Sequence, residues 1–340
     1  MDKIPSGMKF HNIWLFVTGR CNLACDYCFF RGRDKQQTLS VRQIHSLLEA
    51  LPRGRSYDFV FSGGEPLLAW PLVKKSIALI QRLFPQSDIT LQTNMFFFDK
   101  KTLAVLRSCD AVIEPGLDGA FFANHRHRIG FELKNFSRCL RNISLAVKSR
   151  LRMSPTMTVV PSETRSLFDN FSFLRRLGLK AVEVHPAFRA GWNRRAAEEF
   201  LRQYRKILLL EKKEKQHLVG KGYSVLGPMA TDLVVQPDGL ILPNWTYLTF
   251  PSRVREQFSL MKLRDGGVSI HQKRLGDFLK ETAAFYRQPR SYRQFSNFNA
   301  ARILRKMPNA GRKNEFKRYE SLCRDIETLD RCFMDKEDFA

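Results

Sequence analysis

The sequence predicts an α/β protein built on an open, partial (β/α)6 TIM-like barrel. Three observations lead there. Short apolar runs alternate with segments of helical spacing six times between residues 13 and 185, the pattern of successive βα units and a parallel sheet. Six units fall short of the eight of a closed barrel, which occupies about 250 residues. The chemically unusual residues fall just past the apolar runs, where folds of this kind gather their chemistry.

Ile13 to Thr18 reads as the first buried strand, followed by a helix starting near Ser40 with Leu47, Leu48 and Leu51 on one face. Tyr57 to Ser62 is the second strand. Trp70 to Phe84 has helical spacing in Leu72, Ile77, Ile80 and Leu83. Asp88 to Thr93, Ala111 to Leu117, Ser154 to Val160 and Lys180 to His185 are the remaining strands. Between them lie helices over Lys100 to Ser108, Glu132 to Arg150 and Thr164 to Leu177. This series defines a core over residues 10–190. The character then changes over residues 191–340. Trp192 to Lys215 is a long basic amphipathic helix, and residues 232–245 hold a hairpin turned by Asp238-Gly239. The chain from Pro251 onward reads as irregular and basic.

The chain has 340 residues, 44% hydrophobic and 26% charged, ordinary globular usage that excludes a disordered or low-complexity protein. No apolar stretch reaches membrane-spanning length, and Met1 to Phe10 lacks the apolar segment of a signal peptide. A cytoplasmic protein without a membrane partner is expected. Fifty-seven Lys and Arg against 33 Asp and Glu give a net charge of +24. Such a field attracts an acidic peptide, a phosphorylated substrate or nucleic acid, and equally suits a merely solvated basic surface. The basic residues are spread out and match no nucleic-acid-binding module, so a nucleic-acid partner is not expected.

Seven cysteines in a long chain do not make a small disulfide framework. Cys21, Cys25 and Cys28 share one loop after the first strand, spaced C-x3-C-x2-C. Three thiolates so spaced hold three corners of a four-iron cluster, which usually takes four cysteines. Three ligands leave one iron open to a small molecule. A structural zinc site wants a fourth ligand nearby, and His11 lies at the wrong end of the strand. After the second strand comes Gly63-Gly64-Glu65-Pro66, after the third Asn94, after the fourth Asp118-Gly119.

These motifs, in this order and strand context, resemble the radical S-adenosylmethionine (radical SAM) superfamily over residues 12–188. The resemblance implies that Cys21, Cys25 and Cys28 ligate one [4Fe-4S] cluster and that SAM chelates the open iron. It implies that Gly63, Gly64, Glu65 and Pro66 receive the methionyl amine and that Tyr27 and Phe29 pack near the adenine. Thr93 and Asn94 would face SAM after the third strand. An electron entering the cluster would cleave SAM to a 5′-deoxyadenosyl radical, which abstracts hydrogen from substrate. A finer resemblance links Gly116-Leu117-Asp118-Gly119 through Asn124, His125 and Arg128 to the peptide-modifying branch, making Asp118 and Arg128 SAM contacts. Residues 233–245 are similar to its SPASM or twitch hairpin, so an α+β SPASM/twitch-like extension is expected. Two departures stand out: Gly116 replaces a serine and Asn244 replaces a cluster cysteine.

Some residues remain open between function and packing. His185, at the mouth, is read as a SAM or substrate contact, and His127 as an exposed turn residue. Phe96-Phe97-Phe98 line a pocket or fill core, and Arg20 tunes or merely covers the cluster loop. Cys109, Cys139, Cys323 and Cys332 read as packed thiols more readily than as a second cluster, with Cys323 or Cys332 the candidate hydrogen-atom donor. The leading expectation is a maturase of a ribosomally made peptide, forming a cross-link or epimerising a residue. It would work with an electron donor of reductase or flavodoxin type. About a dozen residues precede the first strand, so a separate leader-binding partner is expected. The alternatives are a radical SAM enzyme acting on a small molecule or nucleotide, and a nucleic-acid-binding protein with a structural cluster.

Overall fold

In chain order the elements are β1 (Asn12–Thr18), α1 (Val41–Ala50), β2 (Asp58–Gly63), α2 (Trp70–Leu83), β3 (Asp88–Thr93), α3 (Lys100–Ser108) and β4 (Val112–Pro115). Then come α4 (Phe121–His125), α5 (Leu133–Lys148), β5 (Arg152–Met153), β6 (Thr156–Val159), α6 (Leu167–Arg176), β7 (Glu183–Pro186) and α7 (Arg194–Glu214). The last are β8 (Asp232–Val235), β9 (Leu240–Leu242), α8 (Ser252–Phe258), β10 (Met261–Arg264), β11 (Gly267–Ile270) and α9 (Gln272–Tyr286). This is a computed structural model describing residues 3–5, 8, 10–30, 34–188, 190–218, 232–244, 247–248, 252–287, 314, 317–326 and 328.

The barrel staves pair in parallel and in sequence order, with Ile13 beside Phe59, Phe59 beside Ile89 and Leu91 beside Ile113. Helix starts follow local chemistry. Ser40 accepts from the Gln43 amide while the Gln43 side chain accepts from the Ser40 amide, a capping box that opens α1. Asp99 caps α3 through the Thr102 amide at 2.7 Å. Odd residues of β1, Ile13, Leu15 and Val17, are fully buried. They face the apolar sides of the helices, such as Ile44, Leu47 and Leu48 of α1 and Phe136, Ile143 and Ala146 of α5. Burial of this outer layer stabilises the fold at roughly 25 cal/mol per Å2 of apolar surface.

Two expectations need correction. The fifth strand is broken: β5 ends at Met153 and β6 begins at Thr156, with Pro155 between them. Proline has no amide hydrogen for a ladder. The break leaves β6 and β7 as a separate parallel pair, tied to the fourth stave by a single bridge from Gly116 to Thr156. Residues 252–287, expected to be irregular, instead hold α8, β10, β11 and α9. The turn at Asp265-Gly266 pairs β10 with β11 antiparallel, placing Lys262 opposite Ser269.

The sheet does not stop near residue 190. β8 lies parallel to β1, Ile13 beside Leu233, and the strand order runs β11-β10-β9-β8-β1-β2-β3-β4-β5. The hairpin is therefore a lateral continuation of the barrel wall. Asp232 anchors it, accepting from the side-chain amide of Asn12 at 2.9 Å and from that of Asn244 at 3.1 Å. Asn244 thus serves as a buried hydrogen-bond donor where the resembling hairpins carry a cluster cysteine. Among the described residues no helix is long and apolar enough to cross a membrane.

Candidate active site

Cys21, Cys25 and Cys28 lie half-buried on the loop leaving β1. The loop is held from the side: the Ala24 amide donates to the Ile129 carbonyl and the Asp26 amide to the His127 carbonyl, both at 2.9 Å. Burial pushes the Cys25 thiol up to about 12, opposed by the Arg128 charge. Among the described residues no three His, Cys, Asp or Glu side chains converge as ligands of a single ion. A cubane asks for something different, since each cysteine takes a separate iron. Three thiols on one supported loop fit that demand better than a zinc site.

The Gly63-Gly64 turn exists because the loop backbone crosses it at contact distance. A Cβ on Gly64 would stand 2.0 Å from the Arg20 carbonyl oxygen, so only glycine fits. Glu65 then enters the interior with 1% exposure. Its carboxylate accepts from the Thr93 hydroxyl at 2.7 Å, the Asn94 amide at 2.8 Å and the Leu67 amide at 3.0 Å. Burial raises its pKa to about 7 despite those bonds. Three of roughly four acceptor directions are committed, so Glu65 chiefly fastens the ends of β2 and β3. Asn94 reaches the cluster loop itself, donating to Asn22 Oδ1 at 2.9 Å. Pro66 opens the short 3-10 turn of residues 66–69.

Asp118 and Arg128 form a buried fork. Arg128 Nε lies 2.8 Å from Asp118 Oδ2 and Nη2 lies 2.7 Å from Oδ1. The Thr158 amide and the Tyr27 hydroxyl also donate to Asp118. Tyr27, before the last cysteine, is thereby locked in place, and burial holds its phenol well above the usual range. Gly116 has a reason in the same geometry: a Cβ there would meet Arg128 Nη1 at 3.2 Å. The guanidinium crowds the place where the resembling segments carry serine. Phe29 packs edge-on against Phe16 at 6.3 Å.

Below the mouth, β2, β3, β4 and β7 contribute polar residues to the lumen. Ser62 donates to Gln92 Oε1 at 2.7 Å, and Gln92 donates to Glu114 Oε2 at 2.6 Å. Across the lumen Ser154 donates to Glu183 Oε1 at 2.7 Å, and His185 Nε2 lies 3.2 Å from Glu183 Oε2. The two carboxyls diverge in acidity. Burial, and the nearby Glu183 charge, raise Glu114 to about 8. Burial would raise Glu183 too, but the hydrogen bond and charge of His185 hold it below the usual carboxylate range. Neighbouring carboxyls driven apart in this way can hold and accept a proton at neutral pH.

His185 therefore lies in the lumen, bound to Glu183. His127 is not an exposed turn residue: its Nδ1 lies 2.8 Å from Asp26 Oδ2 on the cluster loop. His125 stacks on Phe121 and approaches the Phe131 carbonyl at 3.2 Å. Phe98 joins the core, whereas Phe97 is 37% exposed. Cys109 bonds carbonyls of its own helix, Cys139 bonds the Asn94 carbonyl at 3.1 Å, and Cys323 is buried beside Tyr319. Tyr319 packs on Phe188 just past β7 at 4.8 Å. Cys332 lies outside the described residues. Sequence reading missed Gln92, Glu114 and Glu183; their signal was a polar residue beside apolar ones at alternate positions of β3, β4 and β7.

Residues 15–173 match the family described as the Radical SAM superfamily. Over 197 residues the chain is 32% identical to a serine-type anaerobic sulfatase-maturating enzyme of Klebsiella pneumoniae, covering 55% of this chain and 50% of that one. It thus spans about half the length of that curated relative. A GTP 3',8-cyclase 2 of Mycobacterium tuberculosis is 32% identical over 117 residues, 33% of this chain and 30% of that one. The fold is similar to that of native anSMEcpe with bound AdoMet and Cp18Cys peptide, with a TM-score of 0.67 at 16% identity over 96% of this chain and 100% of the other.

Proposed function

Residues 15–173 make this chain a member of the radical SAM superfamily, and on that premise we propose that it modifies a peptide held in the barrel lumen. Cys21, Cys25 and Cys28 are the residues that would hold the [4Fe-4S] cluster. Bound there with SAM, the cluster would supply the one-electron chemistry that generates a hydrogen-abstracting radical.

The remaining roles belong to the chain itself. The Gly63-Gly64 backbone and the Glu65, Thr93 and Asn94 group shape the side of the mouth that takes the amino-acid part of SAM. The Asp118–Arg128 fork and Tyr27 form the opposite wall, with Phe29 as an apolar surface for the adenine. Gln92 and Glu114 offer hydrogen bonds to substrate. The Glu183–His185 pair offers a proton-accepting imidazole that the Glu183 carboxylate holds in place. A one-electron donor of reductase or flavodoxin type and a separate leader-binding partner complete the proposed system.

The observation that carries the peptide reading is the acidic, hydrogen-bonding lumen. The cyclase relative raises a nucleotide as the second reading, but the Glu183 carboxylate, held ionised in the lumen, would repel a triphosphate placed beside it. Peptide amides and hydroxyls suit the same groups. The sulfatase-maturating relative, which by its name acts on a protein, supports that choice. The test is anaerobic turnover of the reconstituted enzyme with SAM and a candidate precursor peptide. A mass change in the peptide, coupled to 5′-deoxyadenosine and absent with GTP, is expected. Turnover of GTP with no peptide modified would overturn the reading.

A further inference from the structure

Helix α7 carries seven Lys and Arg against four Glu, and its charge is partly offset by ion pairs. Arg194 pairs with Glu198 and Arg202 with Glu199, each at 2.7 Å, while Glu214 pairs with Arg175 at 2.9 Å. Exposed pairs of this kind leave little field for a partner. A second concentration of positive charge lies elsewhere.

It gathers in the C-terminal layer. Helix α8, strands β10 and β11 and the first turn of α9 enclose an open groove of about 790 Å3. Arg253, Lys262, Arg264, Lys273 and Arg274 line it against a single acid, Glu256. Arg274 is structural: its guanidinium donates to the Glu256 carbonyl and, at 3.3 Å, to the Ser259 carbonyl, joining α8 to α9. The other four cations form no ion pair with another described residue. They come from three elements: α8, β10 and the first turn of α9. Leu240, Met261 and Ile270 give the floor an apolar component. β11, which lines the groove, is also the last strand of the sheet, the kind of edge that accepts an extended chain.

We propose that this groove docks an acidic, extended segment of the peptide substrate, apart from the lumen where the chemistry occurs. The inference rests on the peptide reading above and adds to it where the substrate is held. Charged contacts on such an open surface govern capture more than chemistry.

The test uses the full chain and a fluorescein-labelled peptide of about twelve residues alternating Glu and Ala, read by anisotropy. Affinity should fall at least about tenfold between about 50 and 300 mM salt. The triple variant Lys262→Glu, Arg264→Glu, Lys273→Glu should lose at least about tenfold, whereas Arg194→Glu with Arg202→Glu on α7 should change affinity less than about twofold. Both variants should retain substrate-independent SAM cleavage, which shows that they fold and bind SAM. Peptide affinity unchanged by the groove reversal would overturn the proposal. So would tripolyphosphate binding in the groove while the peptide does not bind. Peptide docking with intact groove dependence, but no SAM cleavage in the wild-type chain, would instead count against the catalytic reading and leave the groove assigned.

Discussion

The nine-stranded sheet that walls much of the lumen also runs out to the C-terminal groove, yet the two places carry opposite electrostatics. In the lumen, carboxyls on β4 and β7 sit within a hydrogen-bonded polar lining and are partly withdrawn from water. In the groove, cations on α8, β10 and α9 face solvent with almost no acid beside them. A net charge of +24 describes neither place. Buried charges interact through a low effective dielectric and change acidity, whereas exposed ones are screened within about 8 Å and steer encounters. The difference separates chemistry from capture, and each variant below should touch only one side of it.

The largest effect belongs to the cluster loop. Cys25→Ala should abolish cluster assembly and with it 5′-deoxyadenosine formation, a loss of more than about a hundredfold given that each iron needs its own thiolate. Visible absorbance of the reconstituted protein and product chromatography provide the readout. Acidic-peptide binding at the groove should persist. A Cys25→Ala protein that still cleaves SAM would remove the triad from the mechanism.

Next comes the buried fork. Arg128→Ala leaves Asp118 at 4% side-chain exposure without its counter-charge. Breaking such a pair costs on the order of 3–5 kcal/mol. Arg128→Lys should recover only part, since an ammonium cannot span both carboxylate oxygens. Denaturant unfolding should show the order wild type, Lys, Ala. If Ala costs less than about 1 kcal/mol, water already reaches the fork and the mouth is wetter than its geometry indicates.

The sequence and the structure part company along the same division. The first three staves were legible to within a residue or two because Ile13, Leu15 and Val17, or Phe59 and Phe61, form uninterrupted apolar alternations bounded by glycine. The metal triad and the Gly63-Gly64-Glu65-Pro66 turn were legible because their spacing is local. Pro155 breaks the fifth stave with one residue inside an apolar run. β10 and β11 are only four residues each, too short for a period-two pattern to register. The contacts of His127 with Asp26, and of Glu114 with Gln92, join residues far apart in sequence, which no local pattern encodes.

The smallest effect tests whether the lumen is a low-dielectric place at all. Glu114 has its pKa raised from 4.5 to about 8 by burial first and by Glu183 second. A carboxyl whose pKa is higher in the folded chain contributes its stability fully below about 4.5 and loses it as pH climbs through about 8. Glu114→Gln stays neutral throughout, and its carbonyl can still accept from Gln92. The variant should match the wild type near pH 5 and exceed it by on the order of 1–3 kcal/mol near pH 9, since a tenfold change in acidity is worth about 1.4 kcal/mol and lumen water trims the total. Glu65, raised to about 7 in both proteins, cancels in the difference. The repulsion between Glu114 and Glu183 is already contained in the raised Glu114 value. The measurement is unfolding free energy from pH 5 to 9 for wild type, Glu114→Gln and the groove triple variant. The groove variant should follow the wild-type slope, because its exposed cations keep their charge across that range. A difference curve for Glu114→Gln that stays flat would mean Glu114 ionises as in water, and the proton-holding role of the lumen pair would go with it.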